Sequence, residues 1–149
     1  MKREQKFLSD LGRSIKADGG FFFKIPDSPN YGEMRFQIEK PFDVIIFWAG
    51  HGIALEGKYL TTKTVINLNC LRKGQIKGLR RSHANGACSY VVVGLKLSNG
   101  LERAYFFTWP MVEQKTRYIA EDLKKVFHID KRHKEEWDLR PFKDSLMFY

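Results

Sequence analysis

The chain has 149 residues, 43% of them hydrophobic and 14% aromatic, which suits one domain with a core of its own and excludes a disordered chain. Its longest uninterrupted apolar stretch, Val44 to Gly50, is far too short to span a bilayer, and no apolar signal-peptide core follows the charged N-terminus. Two cysteines, Cys70 and Cys88, argue against a disulfide scaffold and fit a reducing cytosol, while a net charge of +9 points toward an anionic partner.

In chain order, Lys2 to Ala17 is predicted to be a helix. Phe7, Leu8, Leu11 and Ile15 recur at helical spacing, and Asp18-Gly-Gly stops it. Phe21 to Ile25 reads as a buried strand, followed by the turn-rich Pro26-Asp-Ser-Pro-Asn-Tyr-Gly. Met34 to Glu39 alternates as an edge strand or projecting hairpin would. Phe42 to Trp48 and Ile53 to Tyr59 form a β-hairpin around Ala49-Gly-His-Gly. Asn69 is placed to cap a helix from about Leu71 to Ala84, closed by Asn85-Gly86. Ser89 to Leu97 and Glu102 to Thr108 are strands joined by Ser98-Asn-Gly. A last helix is expected over Met111 to Phe127, with Val112, Ile119, Leu123 and Val126 inward. The final twenty residues leave packing, exchange onto a partner and disorder all open. The expected fold class is α/β, one mixed sheet flanked by helices, in a single domain with an insertion over 26–41 and a tail over 130–149.

The charge is concentrated. Residues 1–56 hold eight basic against eight acidic side chains and 104–149 hold nine against eight, but 57–103 hold nine against Glu102 alone. A local excess of this kind marks a surface that meets a polyanion, with nucleic acid ahead of an anionic membrane because no long basic amphipathic helix is present.

Within this frame Glu56 and Lys58, two apart on a strand, share a face, and the hairpin returns Asp43 beside them. Buried charges of this kind are costly unless a cation shares them. Two carboxylates, with the carbonyl of Gly57, suit Mg²⁺ or Mn²⁺ completed by water and a phosphate oxygen. Lys58 is then placed to orient a water or stabilise charge on phosphorus. Gln75 lies on the same helical stripe as Leu71 and Leu79, so its amide points toward that site, with Arg72, Lys73, Lys77, Arg80 and Arg81 on the flanks.

Asp43, twelve intervening residues, then Glu56-Gly57-Lys58 resembles the signature of the PD-(D/E)XK nucleases. With Gln75 in the next helix, Lys24-Ile-Pro-Asp-Ser-Pro before the insertion, Thr61 and Thr62 after the lysine and Asn67-Leu-Asn ahead of Gln75, the pattern is similar to the RecU-type Holliday-junction resolvases of bacteria and their phages. The resemblance spans about Phe21 to Phe107. It implies a PD-(D/E)XK core, a homodimer, and a Mg²⁺-dependent endonuclease that resolves four-way DNA junctions by paired symmetric nicks. The products would be a 5′-phosphate and a 3′-hydroxyl, and the place of action the cytoplasm, of a bacterium or of a phage's host. It further implies a stalk after the first strand, at Pro26 to Lys40, where Tyr31, Arg35 and Lys40 would meet DNA together with Lys63. Glu4 on the first helix would be an additional acid. The sequence departs from the family in its short stalk, in Val44-Ile-Ile after Asp43 and in Tyr59-Leu60 after the lysine, and archaeal-type resolvases share the same core signature.

Plainer readings stand beside these. A Glu-x-Lys pair alone is common on exposed strands, and Gln75 alone is equally a boundary amide bonded to backbone. His51 is explained by its turn, and His83 by packing. Cys70, His83 and Cys88 lack the paired spacing of a zinc site, and the cysteines read as small buried hydrophobes. Phe21-Phe-Phe and Tyr105-Phe-Phe read as core strands before base-stacking platforms. The function alternatives are a related endonuclease acting on duplex, flaps or ends, and a non-catalytic DNA-binding accessory protein. Divalent-metal dependence separates the last from both enzymes.

Overall fold

The computed structural model describes residues 2–27, 40–61, 65–133 and 136–149, and the predicted strand at Met34 to Glu39 lies outside them. α1 (Arg3–Ala17) precedes β1 (Phe21–Lys24), β2 (Val44–Trp48), β3 (His51–Leu60) and the short β4 (Val65–Asn67). α2 (Lys73–Ala84), β5 (Cys88–Lys96), β6 (Glu102–Thr108), α3 (Trp109–Gln114), β7 (Arg117–Ile119) and α4 (Ala120–Leu123) follow. β8 (His128–His133), β9 (Glu136–Trp137) and α5 (Arg140–Ser145) complete the chain. The main sheet runs β1-β2-β3-β5-β6-β8-β9, and β4 and β7 pair as a second, two-stranded sheet. β3 and β5 are parallel, joined through α2 as a crossover, and every other neighbour in the main sheet is antiparallel.

The strand period of two divides the core between the two faces of this sheet. On one face Leu55, Tyr90, Val92 and Phe106 pack with Phe7, Leu8, Leu11 and Ile15 of α1 and with Trp137, Phe142 and Leu146 from the C-terminal residues. On the other, Ala54, Val91, Val93, Tyr105 and Phe107 pack with Leu79 of α2, Val112 of α3, and Ile66 and Tyr118 of the small sheet. Two glycines let the helices close on the sheet. A Cβ on Gly57 would stand 2.5 Å from Leu8 of α1, and one on Gly78 of α2 would stand 2.5 Å from Pro41, just ahead of β2. The close approach at Gly57 is therefore that of α1.

Several expectations are corrected. β1 is an edge strand with Phe21 and Phe23 exposed, since at the end of the sheet only one neighbour covers it. The helix after Asn69 begins at Lys73, and Leu68–Cys70 is instead a 3₁₀ turn whose cap is Asn67, its Oδ1 accepting from the Asn69 N–H. Cys70 is exposed and Cys88 buried. The single helix expected over Met111 to Phe127 is interrupted, because Arg117–Ile119 pairs with β4. Tyr118 is buried there and Ile119 faces out. The C-terminal residues pack: Phe142 is fully buried, and the Tyr149 hydroxyl bridges the N–H and C=O of Ser89.

Candidate active site

Asp43, Glu56, Lys58 and Gln75 meet where β2 begins, on the α2 face of the sheet. Asp43 precedes β2 and is fixed by its backbone, since its N–H donates to the Leu55 carbonyl at 3.2 Å and its carbonyl accepts from the Ile25 N–H at 2.8 Å. The hairpin that returns the chain turns at Ala49 and Gly50, both at positive φ, and pairs Val44 with Leu55. Glu56 stands opposite Val91 and Lys58 opposite Val93, so both side chains leave the sheet toward α2. Gln75, in the first turn of α2, is buried and reaches them.

The hydrogen bonds tie these groups into one unit. The Gln75 Nε2 amide donates to Glu56 Oε1 at 2.7 Å, and its Oε1 accepts from the Arg72 N–H at 2.9 Å, which fixes the amide's orientation. Lys58 Nζ is 3.2 Å from the same Glu56 Oε1. Asp43 Oδ2 accepts from the Gly57 N–H at 2.9 Å, and Oδ1 pairs with Lys40 Nζ at 3.0 Å. The remaining oxygen, Glu56 Oε2, is buried with no hydrogen-bond partner among the described residues.

This environment opposes the charged form of Glu56. At 1% exposure its carboxyl is held up to about 7, first by burial and next by the neighbouring Asp43, against the attraction of Lys58. Glu4, half-buried on α1, is also raised, mainly by burial, and feels both Lys58 and Asp43. It is within electrostatic reach of the site, but among the described residues no three His, Cys, Asp or Glu side chains gather as a metal cluster. The donor set is thus the two carboxylates of Asp43 and Glu56. A hard divalent cation that keeps several waters suits such a set, and the bare Glu56 Oε2 is the feature that such an ion would satisfy.

The basic residues divide by what they already bind. Arg72, Lys73, Lys77 and Arg81 are exposed along α2, and Lys77 and Arg81 line a groove between that helix and Pro41–Phe42. Arg80 instead lies 3.5 Å from Glu113 and over the Trp109 ring at 5.7 Å, so it ties α2 to α3. Lys40, expected to meet DNA, is held between Asp43 and Asp27, the latter at 3.1 Å. Tyr31, Arg35 and Lys63 lie outside the described residues. His51 opens β3, and His83 Nδ1 stands 3.0 Å from the Tyr149 hydroxyl. The residue sequence reasoning missed is Lys40 in its role on Asp43.

No family model and no curated protein matches this chain. In structure it is similar to Hjc of Archaeoglobus fulgidus, a Holliday junction resolvase from an archaeal hyperthermophile solved at 1.6 Å, with a TM-score of 0.58 over 85% of this chain and 91% of that one. The two sequences are 14% identical, so the likeness is one of fold. The mixed sheet flanked by helices is the fold that this chain shares with Hjc.

Proposed function

We propose that the protein is a divalent-metal-dependent endonuclease that resolves four-way DNA junctions, acting as a homodimer whose two sites make paired symmetric nicks. The observation that carries this reading is Glu56: a buried carboxylate with one bare oxygen, beside Asp43 and bonded to Lys58 and Gln75, on a fold similar to that of a junction resolvase. Within that class, the insertion between β1 and β2 and the run of motifs from Lys24 to Gln75 support a RecU-type member.

Asp43 and Glu56 would hold Mg²⁺, or Mn²⁺ in its place, with the Gly57 carbonyl as a third donor. When bound, the ion supplies charge neutralisation at the phosphate and a more acidic water. The chain's own groups supply the positioning. Gln75 and the Gly57 N–H each occupy one oxygen of Glu56 and Asp43, which fixes the direction of the free lone pairs. Lys58, 17% exposed, presents its ammonium at the rim, where it donates to the attacking water or to a phosphate oxygen as negative charge builds. Arg72, Lys73, Lys77 and Arg81 would grip phosphates along α2, sequence-independently and in a salt-sensitive way.

The test is a labelled four-way junction beside the matching linear duplex, in Mg²⁺ and in EDTA, with Glu56→Ala and Lys58→Ala run in parallel. Paired cuts in the junction alone, lost in both variants and in EDTA, are expected. Equal cutting of linear duplex would replace junction resolution by a general endonuclease, and tight binding without cutting in either metal would leave a DNA-binding protein.

A further inference from the structure

We propose that Lys40 is the built-in counter-ion of the metal-free site: its ammonium pairs with Asp43 Oδ1, so Lys40 and a divalent cation compete for that carboxylate. The inference deepens the nuclease reading and rests on it.

The accounting is by oxygen atom. Asp43 Oδ2 already accepts from the Gly57 N–H, a backbone group held in β3, which leaves Oδ1 as the oxygen with no backbone bond. Lys40 Nζ sits on Oδ1 at 3.0 Å. On Glu56, Gln75 and Lys58 share Oε1 and Oε2 is bare. A cation drawing an oxygen from each acid therefore meets the Lys40 ammonium on Asp43, and Lys40 is the charge it competes with there. Lys58 need not leave, because it lies on the oxygen already committed to Gln75.

Lys40 is also placed to be displaced. Its second partner, Asp27, stands 3.1 Å away, and that carboxylate is 84% exposed where that of Asp43 is 11% exposed. The ammonium thus bridges a buried acid and a solvated one. When a dication arrives, like-charge repulsion in the partly dry site pushes Lys40 off Asp43, while Asp27 still holds it. Asp27 and Lys40 close the two ends of the insertion, so the exchange takes place at its base.

Titration calorimetry of Mn²⁺ and Mg²⁺ into the full chain, without DNA, tests this. Lys40→Met is expected to tighten Mn²⁺ binding roughly tenfold or more, the worth of a lost charged hydrogen bond in competition. Asp27→Asn, which removes the resting place of the displaced ammonium, is expected to weaken it. Lys24→Met is the control for charge alone, since Lys24 is exposed on β1 and forms no ion pair with Asp43. It is expected to change affinity by less than about threefold. Equal tightening by Lys24→Met and Lys40→Met would overturn the proposal in favour of general electrostatics. So would wild-type affinity in Lys40→Met while Glu56→Ala abolishes binding, an outcome that leaves the metal site itself standing. Failure of wild type and every variant to bind either ion would remove the metal reading and this inference with it. Lys40→Gln, checked by far-UV circular dichroism, repeats the test should Lys40→Met not fold.

Discussion

Replacing Glu56 by glutamine keeps the shape of the side chain and removes only its charge. The carboxyl is held at about 7 against an ordinary 4.5, because burial and Asp43 both disfavour its ionised form. Above pH 7 that gap is worth about 3 kcal/mol at most, carried by the folded state. In Glu56→Gln the amide oxygen still accepts from Gln75 Nε2, and an NH₂ takes the place of Oε2. Lys58 loses a charged partner at 3.2 Å, which returns part of the gain. The net expectation in EDTA at pH 8 is a stabilisation of about 1–3 kcal/mol, or a rise in Tm of roughly 2–4 °C per kcal/mol for a chain of this length.

The pH dependence fixes the cause. With its pKa higher folded than unfolded, wild-type Glu56 contributes stability that is fully present below about 4.5 and lost as the pH rises through about 7. The advantage of Glu56→Gln should therefore be near zero at about pH 4 and reach a plateau above about pH 8. Urea unfolding across that range, in EDTA, measures it. A gain that is flat with pH, or a destabilisation at pH 8, would refute the picture of an unsatisfied buried carboxylate. The same variant is expected to lose Mn²⁺-induced stabilisation and roughly 10³-fold or more in cleavage.

Gln75→Ala leaves Glu56 Oε1 to Lys58 alone and removes the acceptor for the Arg72 N–H. It is expected to cost about 1–3 kcal/mol in urea unfolding and to slow junction cleavage. Ala49→Gly relieves a φ of 51° in the β2–β3 turn and should raise stability by about 1 kcal/mol with cleavage unchanged. Lys73→Ala, Lys77→Ala and Arg81→Ala are each expected to flatten the salt dependence of DNA binding by about one in log–log slope, with stability unchanged within about 0.5 kcal/mol. Arg80→Ala, which breaks contacts to Glu113 and Trp109, should instead lower stability by about 0.5–1 kcal/mol, read as a lower urea midpoint.

What was legible in the sequence was local. The hairpin return that sets Asp43 beside Glu56 follows from a short turn between two apolar strands, and the shared face of Glu56 and Lys58 follows from the strand period. Gln75 was found through its spacing from Leu79 although the helix starts two residues later than expected, because the period survives an error in the boundary. What was not legible depends on distant partners. Val112, Leu123 and Val126 keep a helical rhythm and are all buried, yet Arg117–Ile119 is a strand because β4, some fifty residues earlier, offers it a ladder and Phe107 offers Tyr118 a ring at 4.7 Å. Phe21-Phe-Phe carries the composition of a core strand but lies at the sheet edge, a fact of strand order that no local pattern holds. Lys40 has no signature either, since an ammonium reads the same whether it meets phosphate or a neighbouring aspartate.

Stability and chemistry pull in opposite directions at this site. Glu56 stands on a face otherwise built from Ala54, Val91 and Leu79, where a side chain of similar size and no charge would pack at no electrostatic cost. The fold tolerates the acid because Gln75, Lys58 and the large core around it offset an incomplete set of partners, and because Lys40 neutralises its neighbour. On the proposed reading, a bound cation would relieve the same tension from the other side. Ala49→Gly and Glu56→Gln make the distinction measurable, for both should raise stability in EDTA. Only Glu56→Gln should gain with pH and lose cleavage, because only there does the stability come from the group that the chemistry needs.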